Sequence, residues 1–364
     1  MADLGNAAAG GALVGLASGA YMLGAGRIAG NSDHMKALVL GPREPTQMAF
    51  IVGMVLGGLT MGALRPDLFD RSARPAEYPS PVALAVACVS LILGGFATGL
   101  GTALGNGCTS GHGLCGLSRF SLRSLVATPT FLCAAVTAAT LTADGPSRLP
   151  PSLLPIVAAD APTLRLALTA AVGCGGPLLA LALLPHFGGA RCADEPCSVG
   201  GTNAWRECAL ATLVGLTMSI GLATGGMVRP SVVLGGLTPG TFDLTLWVLF
   251  VTALCVTFAL YRVAQALGVK EAVVRAPPPA ESTAKKGAKK PKPPVKSRDQ
   301  LEVTKSLIVG EVLFGTGWGL TGFCPGPLLV AIAGAPQLSS ALVCATVAAG
   351  FAAARPLRSW RALV

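Results

Sequence analysis

The sequence predicts an all-α integral membrane protein with about nine transmembrane helices and four central re-entrant loops arranged as pseudo-symmetric repeats. Hydrophobic residues make up 52% of the 364-residue chain and charged residues 12%, against about 25% charged in an average soluble domain. The mean hydropathy is +0.64. The apolar residues form long runs, and a glycine pattern recurs at the ends of four of these runs.

Nine apolar runs are long enough to cross a bilayer as helices, because a hydrocarbon core of about 30 Å needs about 20 residues at ~1.5 Å each. In chain order, the predicted spans cover residues 8–25, 48–64, 82–104, 122–142, 164–185, 207–223, 243–263, 303–321 and 337–354. The N-terminal stretch has neither a basic region nor a convincing cleavage site, so no signal peptide is expected.

The spans divide the chain into two membrane halves. The first half covers residues 1–188, a polar connection covers 189–206, and the second half covers 207–268 and 301–364. Residues 269–300 are rich in Pro, Lys and Ala and lack aromatic residues, which predicts a disordered basic linker. This linker holds much of the net charge of +10, so the charge does not indicate a nucleic-acid-binding face.

The basic linker also predicts an orientation in a plasma or inner membrane. Polybasic connections are normally kept on the cytoplasmic side. With nine spans, a cytoplasmic linker places the N-terminus outside and the C-terminus inside. The Lys and Arg residues of the other loops divide evenly between the two sides, so the linker and the basic C-terminal tail decide the orientation.

A glycine pattern recurs four times along the chain. Each copy begins with a glycine and reaches a second glycine 11 or 12 residues later, after which the chain stops resembling a helix. The first glycines are Gly15, Gly95, Gly215 and Gly310, and the second are Gly26, Gly107, Gly226 and Gly322. Non-helical backbone at membrane depth must be buried in protein or line a polar cavity. The pattern therefore predicts inward loops at 26–32, 105–116, 224–235 and 321–327 that build a central pathway.

Two of these loops carry a cysteine close to the second glycine, namely Cys108 in GNGCTSGHG and Cys324 in TGFCPGP. The glycines Gly107, Gly111, Gly322 and Gly326 permit positive φ and close approach of backbone N–H groups to an ion. Broken helices in transporters aim their positive N-terminal ends at anionic substrates. The two thiols are therefore the first candidate contacts for an anion in the pathway.

Other residues are candidates for supporting roles. Thr109, Ser110 and His112 could hydrogen-bond the oxygens of an anion, although His112 could equally stabilise the loop. Arg27 could attract anions or anchor the chain at the membrane interface. Glu311 lies within a predicted span, where an acid suggests a functional role, so we consider both proton coupling and a structural hydrogen bond.

The runs GNGCTSGHGLCGLSRFSLRSLVAT (105–128) and FGTGWGLTGFCPGPLLVAIAG (314–334) resemble the two signatures of the YeeE/YedE family, the sulphur transport domain of bacterial thiosulfate transporters. The chain resembles two halves of that family fused into one. The resemblance implies nine membrane helices, four re-entrant loops, and thiosulfate uptake in which loop cysteines hand on the anion. It also suggests a cytosolic sulfur-carrier (TusA-like) acceptor, while the lipid bilayer is the chain's other expected partner.

One departure from the family concerns the first loop. Full-length thiosulfate transporters of the family have a third cysteine there, whereas this loop reads GAGRIAGNSD. Another sulfur-containing anion, or a related oxyanion such as a selenium species, is therefore an alternative substrate.

Other classes of function are less well supported by the sequence. A membrane thiol–disulfide oxidoreductase could use Cys115 with Cys108, or Cys192 with Cys197, but such enzymes favour a C-x-x-C pair, which the chain lacks. Cys192 and Cys197 have too few neighbouring ligands for a zinc site, and Cys115 could simply pack. A non-transporting scaffold would not need cysteines in symmetric loops. We therefore expect a transporter without enzymatic activity, cofactor or metal.

Overall fold

The computed structural model describes residues 4–70, 78, 80–143, 175–187, 204–269 and 303–360, and every regular element in these ranges is helical. The long helices are α1 (Leu4–Ala25), α3 (Pro45–Leu64), α4 (Pro81–Gly105), α5 (Leu122–Leu141), α7 (Ala204–Thr224), α9 (Leu244–Ala266), α10 (Lys305–Thr321) and α12 (Leu338–Trp360). The shorter helices are α2 (Asn31–Leu40), the π-helix Thr109–Gly116, α6 (Gly175–Phe187), α8 (Pro230–Leu237) and α11 (Pro325–Gly334), with 3₁₀ turns at Pro66–Leu68 and Leu117–Arg119.

Eight segments of the described chain are long and apolar enough to cross a membrane, and one of them runs from α10 through α11. Large apolar side chains such as Val52, Leu59 and Leu93 lie exposed on these helices, as expected for surfaces that lipid covers. The all-α membrane class is thus confirmed. The fifth predicted span, 164–185, lies half outside the described residues, which include only α6 from this region, so the count of nine stays a prediction.

The described helices form four units of the same design. In each unit a long helix ends at a break, a short helix follows, and a second long helix completes the unit. The units are α1–α2–α3, α4–π-helix–α5, α7–α8–α9 and α10–α11–α12. The short helices have 8 to 10 residues and reach only about 15 Å at 1.5 Å per residue, about half the hydrocarbon thickness. Their entry into the bilayer as re-entrant loops stays a prediction.

The breaks follow the glycine pattern, with one difference. Gly26, Gly226 and Gly322 have φ of 63°, 81° and 70° and end their long helices in a left-handed turn. In the second unit the left-handed residue is Asn106, with φ of 59°, and not Gly107. Asn tolerates this conformation better than other residues with a side chain. Gly107 is needed for a different reason, because a Cβ there would overlap the His112 ring.

The first glycine of each copy lies where two helices cross. A Cβ on Gly15 would lie 2.7 Å from the Ala253 carbonyl oxygen of α9, and one on Gly310 would overlap the backbone of Gly105 in α4. Gly95 and Gly215 meet α12 and α3 in the same way. Small residues at such crossings let membrane helices approach closely, so the recurring glycines mark both the packing face and the break of each unit.

The units pack in pairs that cross between the two halves of the sequence. In the first pair, α1 packs against α7 and α9, while α3 packs against α7. In the second pair, α4 packs against α10 and α12, while α5 packs against α10. The first unit therefore packs against the third in the same way as the second packs against the fourth. This arrangement brings together breaks that lie about two hundred residues apart in the chain.

Candidate functional site

The starts of all four short helices meet in the interior. A Cβ on Gly322 would lie 2.8 Å from Pro230 Cα, at the beginning of α8. A Cβ on Gly326 would overlap the Asn31 side chain, at the beginning of α2. The Asn31 backbone N–H donates to Ser110 Oγ of the π-helix over 3.1 Å. Contacts between neighbouring breaks thus join the four units around one point.

Cys108 and Cys324 occupy the centre of this meeting point. Each is the residue directly before a short helix, and their side chains are 0% and 2% exposed. The two thiols interact directly, although they come from loops 216 residues apart in the chain. Cys108 Sγ lies 3.3 Å from Ser110 Oγ, and Cys324 Sγ lies 3.1 Å from Thr109 Oγ1. Two of the predicted hydroxyl side chains therefore contact the two predicted cysteines.

Backbone and first-unit groups complete the surroundings of the thiols. The Gly111 backbone also interacts with the Cys108 thiol, and the Thr109 backbone with the Cys324 thiol. The Ser32 hydroxyl of α2 faces Cys108 as well. We did not predict roles for Asn31 or Ser32. Their position after the GRIAG glycine, as the first polar residues of a short helix, is the sequence signal that could have identified them.

His112 and Glu311 form a buried pair beside this centre. His112 is 5% exposed and Glu311 0%, and His112 Nε2 lies 3.3 Å from Glu311 Oε1. The other ring nitrogen, Nδ1, lies 3.0 Å from Ser124 Oγ. The His112 backbone N–H donates to the Cys108 carbonyl oxygen over 2.8 Å. The imidazole and the carboxylate thus lie next to the loop that carries the first thiol.

A cavity of about 50 Å³ adjoins the meeting point. Asn31, Thr109 and Ser110 supply the polar part of its wall, and the remainder is apolar or aromatic, including Met227 and Trp318. The indole N–H of Trp318 is buried and has no hydrogen-bond partner among the described residues. The cavity therefore leads toward the hydroxyl groups that contact the thiols.

Arg27 and Cys115 lie apart from the thiol pair. Arg27 forms ion pairs with Glu44 at 3.1 Å and Glu207 at 3.9 Å, and it does not line the cavity. Burial lowers the pKa of its guanidinium, but Tyr21 and the two carboxylates more than offset this and raise the pKa above the ordinary value. Arg27 is thus a partly neutralised cation. Cys115 is buried against Ser18 and Tyr261, which agrees with a packing role.

The remaining sequence candidates are cysteines of the polar connection and residues for a metal. Cys192 and Cys197 lie outside the described residues. Within the described ranges, no three His, Cys, Asp or Glu side chains cluster closely enough to hold a metal ion.

Each half of the chain matches a known protein family. Residues 7–137 match the family described as Sulphur transport, and residues 207–362 match a family of unknown function, DUF6691. No solved structure matches the chain.

Two relatives from Xylella fastidiosa, each named a probable transporter, match the chain over 131 residues. The protein of strain Temecula1 is 42% identical and that of strain 9a5c is 40% identical; each alignment covers 36% of this chain and 89% of the relative. Since the matched family is described as Sulphur transport and these relatives are named probable transporters, the expectation that the chain is not an enzyme is confirmed. The chain belongs to the sulphur transport (YeeE/YedE) family and is a multi-pass membrane transporter.

Proposed function

We propose that the protein takes up thiosulfate through a central pathway in which Cys108 and Cys324 hand the anion from one loop to the other. The observation that supports this most strongly is the direct interaction of the two thiols at the starts of two short helices. Helix N-termini favour negative charge because their first backbone N–H groups are unsatisfied. The meeting point therefore combines a favourable electrostatic environment with two adjacent sulfur groups.

The chemistry of the thiol suits this substrate. The terminal sulfur of thiosulfate is large and polarisable, and a neutral S–H is a soft and weak donor. The hydroxyl groups of Thr109 and Ser110 are hard donors that suit the sulfonate oxygens. A transport site must also release its ion, and weak thiol contacts release a dianion more readily than a lysine would. The site thus offers matched contacts for both ends of thiosulfate.

The first loop decides how far the proposal extends to other anions. The first loop of this chain has no cysteine, and the Ser32 hydroxyl of its short helix faces Cys108. A hydroxyl can hydrogen-bond an oxyanion but has no special preference for sulfur. An oxyanion such as a selenium species is therefore the second candidate. The same proposal includes a TusA-like sulfur carrier as the cytosolic acceptor. It also places the N-terminus of the chain outside the cytoplasm.

Uptake of labelled thiosulfate by the reconstituted full-length protein tests this function. We expect unlabelled thiosulfate to compete fully and sulfate weakly, because sulfate has the oxygens but lacks the terminal sulfur. Stronger competition by selenite than by thiosulfate would instead favour the selenium oxyanion. Equal competition by sulfate and thiosulfate would contradict recognition through thiols.

A further inference from the structure

The buried pair His112–Glu311 has no role in the proposed sulfur relay. Glu311 belongs to α10, and His112 belongs to the π-helix of another unit, 199 residues earlier. His112 Nε2 lies 3.3 Å from Glu311 Oε1, within ion-pair distance, but no polar atom of the described residues makes a hydrogen bond to either carboxylate oxygen of Glu311. A side chain that only held the fold together would be expected to satisfy both oxygens. The incomplete hydrogen bonding of this acid therefore calls for an explanation.

Two glycines leave space for the side chains of His112 and Glu311. A Cβ on Gly105 would overlap Glu311 Oε1, and a Cβ on Gly107 would overlap the His112 ring. Ser124 holds Nδ1 at 3.0 Å, which directs Nε2 toward the carboxylate. The ring and the acid are thus positioned by Gly105 at the end of α4, Gly107 in the following loop and Ser124 of α5, and Nε2 of the imidazole faces the carboxylate.

Few charged groups face Glu311. Helix α10 packs against α4, α5 and α8. The charged or titratable groups near Glu311 are Cys108 and His112 from the π-helix segment and Arg123 from α5. The Arg123 guanidinium donates to the Gly105 carbonyl oxygen. Helix α8, with the sequence PSVVLGGL, contributes no titratable side chain.

These surroundings determine how many protons the pair holds. A charged carboxylate buried without hydrogen-bond donors is costly unless it is neutralised or paired. We therefore expect the imidazole and the carboxyl group to hold one titratable proton between them and to carry no net charge together. A second proton would leave a protonated imidazole beside a neutral carboxyl group, with a net charge of +1. The stable states of the pair thus differ by one proton.

We propose that the His112–Glu311 pair is a proton-binding site that couples anion movement to proton movement. This inference rests on the proposed function, because the dianion at Cys108 supplies the charge that favours the second proton. A proton from the side of entry binds to the pair when thiosulfate arrives, and one of the two negative charges is thereby offset. The same proton leaves to the opposite side when the anion leaves, so the pair returns to its one-proton state.

The test uses proteoliposomes of the full-length protein with a pH-sensitive dye in the lumen. For the wild type, we expect thiosulfate entry to acidify the lumen, and the initial rate to rise with external acidity by up to about tenfold per pH unit. Glu311→Gln keeps the shape of the side chain but cannot take up the proton. We expect it to lose pH-driven accumulation and luminal acidification while it retains exchange of external for internal thiosulfate.

Asp67→Asn is the matched control, since Asp67 is an exposed carboxylate paired with Arg65, and it should retain both activities. Wild-type uptake without luminal acidification, or full pH-driven accumulation by Glu311→Gln, would overturn the coupling while leaving thiosulfate transport intact. If Glu311→Gln does not fold, absence of luminal acidification by the wild type still overturns the coupling. Absence of any thiosulfate entry by the wild type would contradict the proposed function and, with it, this inference.

Discussion

At the scale of single residues, the site depends on positions that have no room for a side chain. Gly326 faces Asn31, and Gly322 faces Pro230, so each glycine is a contact between two units. The cysteines could be predicted from the sequence because each stands in a loop after a break. The contact between His112 and Glu311 could not, since it depends on how two distant units pack and leaves no local pattern.

We predict that Gly326→Ala impairs transport and stability together. The added methyl would overlap Asn31 Nδ2 and displace the residue whose N–H binds Ser110. Overpacking of this kind costs about 1–3 kcal/mol, which thermal unfolding of the detergent-purified variant would measure. Gly176→Ala is the matched control, because nothing lies within 4 Å of a Cβ at that helical position. Equal behaviour of the two variants would mean that the units do not meet at Gly326.

At the scale of elements, the four short helices differ in what lies at their N-termini. Two begin after a cysteine, and α2 begins with Asn31 after Gly30. The N-terminus of α8 is instead bound by Asp70, whose carboxylate accepts from the Ser231 N–H and hydroxyl, both at 2.8 Å. The helix breaks could be predicted from glycine spacing. The capping of α8 by Asp70 could not be predicted, because Asp70 comes from a loop 161 residues before Ser231.

Replacement of Asp70 should destabilise the third unit. Asp70 Oδ1 also accepts from Arg229 Nε at 3.1 Å, so Asp70→Asn loses an ion pair and weakens the cap of α8. Loss of a helix cap costs about 0.5–2 kcal/mol. We expect the free energy of unfolding to fall by that amount and the midpoint of thermal unfolding to fall with it. Asp67→Asn, at an exposed pair, should change the midpoint little. An unchanged midpoint for Asp70→Asn would show that the carboxylate does not hold the start of α8.

At the scale of the whole molecule, the two halves of the sequence interlock. The strongest helix contacts join the first unit to the third and the second to the fourth. The spans and their order followed from apolar run length, and eight of the nine correspond to described helices or to segments that include them. The pairing of units could not be predicted, since the first long helix of every unit carries a similar glycine-containing face and allows several arrangements. This pairing brings Cys108 and Cys324 together.

The most direct measurement of the central claim is thiosulfate uptake by Cys108→Ser and Cys324→Ser in proteoliposomes, with Cys133→Ser as the control. Cys133 is a free, exposed cysteine away from the meeting point. Loss of one contact worth about 1–3 kcal/mol corresponds to roughly a fivefold to 150-fold change. We therefore predict that uptake falls by at least about fivefold in each of the two site variants and is retained in the control. Undiminished uptake in either site variant would contradict the relay.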